Sequence, residues 1–191
     1  WSIGGRYTYI PAPTVTSVSP SEGPTTGGAT VQITGTNFTD VKGVSFGGTA
    51  ASSYTISGSS IWATAPAGTG TVDIRVTTAG GTSAVSAADQ YTYVAAPTVT
   101  SISPATGLAA GGTTVTITGT NFSGATRVTF GGTAASYTIN SDTHITATAP
   151  AGTGTVNVQV RTAGGTSAAS SADQYTYAAA PTVASLSPRA G

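Results

Sequence analysis

The sequence has 191 residues, enough for one large domain or two small ones, and its six basic residues are balanced by six acidic ones. With only 6% of the chain charged, no basic stripe exists to neutralise a nucleic-acid backbone, so DNA and RNA are not expected partners. Cysteine and methionine are both absent, which removes disulfides, zinc–thiolate sites, cysteine nucleophiles and soft metal ligands.

Small β-tolerant Thr and Ser and 26 Gly dominate, while the long helix formers are scarce, a mixture that predicts an all-β protein. No apolar run is long enough to span a bilayer, so no membrane insertion by this segment is expected. Thr-rich, Lys-poor, Cys-free composition also resembles that of secreted and surface proteins, which predicts an extracellular or cell-surface setting.

Read in chain order, alternating apolar positions predict strands near 14–19, 29–35, 42–46, 50–56, 59–65, 70–77 and 82–93, separated by Gly, Pro, Asn and Ser. In the first of these, Val15 and Val18 break the two-residue period. That strand is expected to bend or bulge, to switch sheets before the Ser-Pro turn, and to end at Pro20.

Asn37 lies in a formal glycosylation sequon, NFT, but also in GTNF, where its side chain is expected to bond local backbone in a turn. The stretch FGGTAAS from Phe46 has no Lys and no helix after it, so it predicts a tight turn with Phe46 in the core, not a phosphate cradle. Trp62 falls between inward Ile61 and Ala63 and should point outward, where an indole can contact sugar or a neighbouring protein. TAGGTSA places Gly80-Gly81 at a hairpin tip, with positive φ expected at both. Asp89 in ADQYTY is assigned a strand-start or turn hydrogen bond, because one carboxylate is too few for calcium.

The chain then repeats itself at an offset of 84 residues: PTVTSVSP from Pro13 falls on PTVTSISP from Pro97, and Phe46 falls on Phe130. A unit of this length can bury its own core, unlike the short units of solenoids. Whole domains are therefore predicted over 11–95 and 96–179. Residues 1–10 carry YTY and are read as the closing strand of a preceding repeat, and 180–191 as the opening strand of a following one. Two explanations stay open for these ends: pieces of a longer array, or exchange strands that complete neighbouring molecules.

The two copies test side-chain facing. Val72, Ile74 and Val76 become Val156, Val158 and Val160, while the alternating Asp73, Arg75 and Thr77 become Asn157, Gln159 and Arg161. The first set is expected inside, and the core is assigned to Val31, Ile33, Phe38, Phe46, Val72 and Ile74, with Val115, Ile117, Phe122, Phe130, Val156 and Val158 in the second copy.

His144 is the only histidine, so neither a His-pair metal site nor a Ser-His-Asp set can recur in both copies. Lys42 is the only lysine and has Thr126 as its counterpart, which excludes a Lys–Asn crosslink in the second copy. No catalytic constellation, cofactor or metal is expected.

The order PTVTSVSP, GGATVQITGTNF, VSFGGTAA, IWATAPAGTGTVDIRV and closing YTY resembles the IPT/TIG immunoglobulin-like domain, and the second copy resembles it as fully. The resemblance implies two tandem early-set immunoglobulin-like β-sandwiches of about seven strands each. It leaves function open. One expectation is a semi-rigid spacer or building block of an extracellular fibre, filament or adhesin stalk, with other copies or other protein subunits as partners. The alternatives are a carbohydrate- or protein-binding module using Trp62, or accessory domains of a secreted glycan-active enzyme.

Overall fold

The computed structural model describes residues 9–179 and Pro181. The strands expected at 1–10 and 180–191 fall outside these, apart from Tyr9, Ile10 and Pro181, which lie in no strand. The chain divides into two compact units with the boundary between Ala95 and Ala96.

In the first unit the strands are β1 (Thr14–Ser19), β2 (Glu22–Pro24), β3 (Thr30–Thr36), β4 (Gly43–Phe46), β5 (Thr49–Ala50), β6 (Ser53–Ser57), β7 (Ser60–Thr64), β8 (Gly70–Thr78), β9 (Gly81–Thr82) and β10 (Gln90–Val94). The second unit repeats them as β11 (Thr98–Ser103), β12 (Thr106–Leu108), β13 (Thr114–Thr120), β14 (Arg127–Phe130), β15 (Thr133–Ala134), β16 (Ser136–Ser141), β17 (His144–Thr148), β18 (Gly154–Thr162), β19 (Gly165–Thr166) and β20 (Gln174–Ala178). Each unit is an all-β sandwich. One sheet runs β1-β3-β7-β6 and the other β2-β10-β8-β4-β5 with β9 added to β8, and the second unit has the same two orders. The seven expected stretches each contain a strand of four or more residues; β2, β5 and β9 are extra pieces of two or three.

β1 pairs with β3 and carries a register shift between Val15 and Ser17, the bulge that the broken period requires. The sheet switch comes later than expected. β1 stays on β3 as far as Ser19, the Ser19-Pro20 peptide is cis, and only then does β2 join the opposite sheet in parallel with β10.

The expected strand 82–93 is broken in the middle. The Ser83 hydroxyl accepts the Val76 N–H at 3.1 Å, ending the β8–β9 ladder, and Ser86 then caps a short 3-10 turn, Ala87–Asp89. Ser86 and Asp89 form a reciprocal capping box, with Oδ2 of Asp89 accepting the Ser86 N–H at 3.0 Å. Asp173 does the same for Ser170 at 3.1 Å.

The hairpin tip after β8 also lies one residue earlier than expected. Thr78 pairs with Gly81, so Ala79-Gly80 form the tip, and only Gly81 has positive φ, at 123°. Gly80 is small for another reason, since a Cβ there would strike the carbonyl oxygen of Pro11. FGG is a two-residue hairpin: Phe46 pairs with Thr49, and Gly47 and Gly48 have φ of 57° and 91°.

Val31, Ile33, Phe38, Phe46 and Ile74 lie buried between the first pair of sheets, and Val115, Ile117, Phe122, Phe130 and Val158 between the second. Val72 and Val156, expected inside, are only half-buried at the rim, each covering the first glycine of its FGG turn. Full burial of one such aliphatic or aromatic side chain stabilises by ~1.5–3 kcal/mol.

Two outcomes are expected. At Gly48 an added Cβ meets open space, so Gly48→Ala carries only the cost of its left-handed conformation, about 1–2 kcal/mol. Gly47→Ala should cost more, because the new Cβ would sit 2.7 Å from Cγ1 of Val72; equal shifts in denaturation midpoint would contradict this packing. The second concerns the capping carboxyls. Burial is the largest influence on Asp89 and Asp173 and raises both above 3.8, against the lowering effect of their backbone hydrogen bonds. Each native carboxyl thus holds its proton more tightly than the unfolded chain does. Their contribution to stability is present in full below 3.8 and is lost as pH rises through the raised native value. The double variant Asp89→Asn/Asp173→Asn should therefore lose less stability than the parent between pH 4 and neutrality, as read from urea midpoints.

Candidate functional site

β7 alternates buried Ile61 and Ala63 with outward Ser60, Trp62 and Thr64. Trp62 consequently stands 43% exposed on the outer face of β1-β3-β7-β6. Its cross-strand partners are Gln32 on β3 and Thr55 on β6. Nε2 of Gln32 donates to Oγ of Ser60 at 3.3 Å. Thr30, Thr34, Ser53 and Ser57 continue the same face, which carries no charge on these three strands. An indole, an amide and a field of hydroxyls suit a neutral hydroxylated ligand or an uncharged protein surface.

The second unit does not duplicate this arrangement. Thr146 replaces Trp62 between Thr116 and Thr138, and its hydroxyl donates to Oδ1 of Asn140 at 2.9 Å.

The remaining candidates lie elsewhere. The amides of Gly47 and Gly131 are already committed to the carbonyls of Asp73 and Asn157 at 3.0 and 2.9 Å, so the first N–H of each FGG turn is not free for an anion. Asn37 and Asn121 both have φ of 59° in their turns. Their Nδ2 atoms bond distant rather than local backbone, reaching Ala12 O at 3.0 Å and Ala96 O at 3.1 Å. His144 is exposed, with Nδ1 2.9 Å from Oγ1 of Thr143. Lys42 pairs with Asp40 at 2.7 Å on the surface. Among the described residues no group of three or more His, Cys, Asp or Glu could hold a metal ion, and no helix is long and apolar enough to cross a membrane.

One feature escaped the sequence reading. Arg127 and Arg161 are 34 positions apart, yet they are cross-strand partners on β14 and β18 beside a cavity of about 200 Å³. Only the pairing of those two strands in the right register could have disclosed it.

The fold is shared with known structures. Two structures of the Plexin A4 extracellular region are each 21% identical to this chain, with TM-scores of 0.54 and 0.58. They match 93% and 98% of this chain, which spans only 19% and 17% of theirs. A surface glycan-binding protein of Prevotella bryantii is also 21% identical, with a TM-score of 0.37 over 83% of this chain and 41% of its own. The likeness to the two plexin structures, at this identity, speaks to fold alone. No curated protein sequence matches. The IPT/TIG domain family matches residues 13–93 and 97–177, the two sandwiches just described. The chain therefore belongs to the IPT/TIG family, as two tandem domains.

Proposed function

We propose that the chain is a non-catalytic, structural segment of an extracellular or surface protein, a semi-rigid spacer or building block of a fibre, filament or adhesin stalk. One observation carries this reading: the two copies keep nearly all their buried residues and the FGG turns, while several of their outward residues differ. Phe46, Tyr91 and the FGG glycines have identical counterparts in Phe130, Tyr175 and Gly131-Gly132. Outward Ser60, Trp62, Arg75 and Thr77 become His144, Thr146, Gln159 and Arg161. A spacer constrains its folding positions and leaves its surface free; a binding site used in every repeat would constrain both. The short connection supports the same reading, with only Ala95, Ala96 and Pro97 between β10 and β11. Other copies of the repeat or other subunits of the parent protein would be its partners.

Trp62 favours a second reading, a carbohydrate- or protein-binding surface confined to the first domain. An exposed indole flanked by an amide and hydroxyls is the one large apolar contact on that sheet face.

The readings separate experimentally. In small-angle scattering, a Gly/Ser insertion of roughly ten residues after Ala95 should broaden the distribution of interdomain distances relative to the parent chain. Identical distributions would remove the spacer argument. On a glycan array, the binding reading expects signal that Trp62→Ala abolishes; silence of the parent chain would remove it.

A further inference from the structure

All the positive charge of the second domain stands in one place. Between residues 96 and 179 the basic residues are Arg127 and Arg161, and the acidic ones are Asp142 and Asp173. Arg127 alternates with buried Val128 and Arg161 with buried Val160, so both arginines project from the outer face of their sheet. They are direct partners on an antiparallel pair, where like charges are destabilising. No carboxylate relieves them among the described residues. Asp142 accepts the Ser123 N–H at 3.1 Å, and Asp173 is buried in its capping box.

The first domain supplies an internal control. At the equivalent positions Gly43 stands opposite Thr77, whose hydroxyl lies 3.0 Å from that of Thr82. The fold needs no arginine at either place. Arg75, which corresponds to Gln159, turns its guanidinium onto the Ser83 carbonyl with two bonds of 3.1 and 2.8 Å.

Around the arginine pair the sheet builds a small polar basin of about 200 Å³, lined by Arg127, Thr129, Gly132, Gln159, Arg161 and Thr166. Strand register sets its layout: Thr129 faces Gln159, and Arg161 faces Arg127 on one side and Thr166 on the other. Nη2 of Arg127 donates to the Gly132 carbonyl at 3.1 Å, and Nε2 of Gln159 to the Ser167 carbonyl at 3.0 Å, which hold the rim in place. Arg161 donates to no protein acceptor among the described residues.

We propose that Arg127 and Arg161 form an anion-binding site for the carboxylate of an acidic sugar, with a uronate residue of a polysaccharide as the ligand class. Two adjacent guanidinium forks match a carboxylate, and charge-assisted bonds of this kind are short and strong. The threonine hydroxyls and the glutamine amide meet the hydroxyls of the sugar ring. The basin is smaller than the ~300–1,000 Å³ of pockets for larger ligands, which suits one sugar residue of a chain. No aromatic or large aliphatic side chain lines it, which disfavours an acidic peptide, whose binding is usually anchored by such a side chain. This site is separate from the Trp62 face: it lies in the other domain and on the other sheet.

The test is an NMR titration of the full chain with a short oligogalacturonate, its methyl ester, and oligoglutamate of equal length. The uronate should shift the Nε–H signals of Arg127 and Arg161 and lose affinity as salt is raised. The neutral ester should leave those signals unmoved. Arg161→Gln should weaken binding about tenfold, and Arg161→Lys should restore only part of it. The melting temperature of Arg161→Gln should stay level or rise, because a like-charge pair is removed. The proposal is overturned if the uronate shifts neither arginine, if the ester binds equally, or if oligoglutamate binds as tightly. A fall in melting temperature would also overturn it, because the pair would then serve the fold.

Discussion

Each sandwich hangs on a column of three aromatic rings that spans its second sheet. Phe46 meets Tyr91 edge to face at 5.3 Å, and Tyr91 meets Tyr93 in the same way at 5.1 Å. Phe130, Tyr175 and Tyr177 reproduce this at 5.1 and 5.0 Å. Such contacts are worth about 0.5–1.5 kcal/mol each beyond the area they bury. Their larger effect is geometric. Phe46 comes from β4 and both tyrosines from β10, so the column crosses beneath β8 and fixes the order of the sheet. Burial pushes the Tyr91 hydroxyl up to about 12, which keeps it neutral at any ordinary pH. Gly23 is the matching constraint, since any Cβ there would collide with that hydroxyl and β2 could not close over it. At the other end, Tyr93 donates to the Pro66 carbonyl at 2.9 Å and ties the APAG loop to the core.

How far the sequence disclosed this structure depended on the range of the interaction involved. Inward and outward positions on β3, β7 and β8 were readable because a half-buried strand imposes a period of two. The FGG hairpin was readable because two successive glycines answer a local steric demand. The three-residue strand β2 was not, because Glu22-Gly23-Pro24 carries no periodicity and pairs only through β10, which lies some seventy positions away. The break before β10 was hidden in two serines, since Ser83 and Ser86 read as ordinary polar strand residues until their hydroxyls are seen to take backbone N–H bonds. Trp62 was placed outward by parity alone. Arg127 and Arg161 needed the register of β14 on β18, which no local pattern encodes.

Duplication within one chain separates the demands of folding from those of surface chemistry. The three rings of the aromatic column, the FGG glycines and the Ser and Asp of the capping boxes are the same in both copies. The outward faces have diverged in opposite senses: the first domain placed an indole among hydroxyls, and the second placed two guanidiniums. A common scaffold thus presents two chemically distinct surfaces, one neutral and one cationic, with the cost to the core close to nothing.

The side chains of Asn37, in NFT, and of its counterpart Asn121, in NFS, give these sequons a meaning beyond their motif. In each domain the amide nitrogen that a glycan would occupy is also the donor that fastens the turn to Ala12 or Ala96, at the threshold of the first strand. That nitrogen carries two hydrogens, one of which is spent on the latch, so a sugar would have to replace the other. Both bonds lie at the surface, so a glycan that keeps the latch is held to one orientation, with its first sugar directed away from the chain that enters the first strand of the domain.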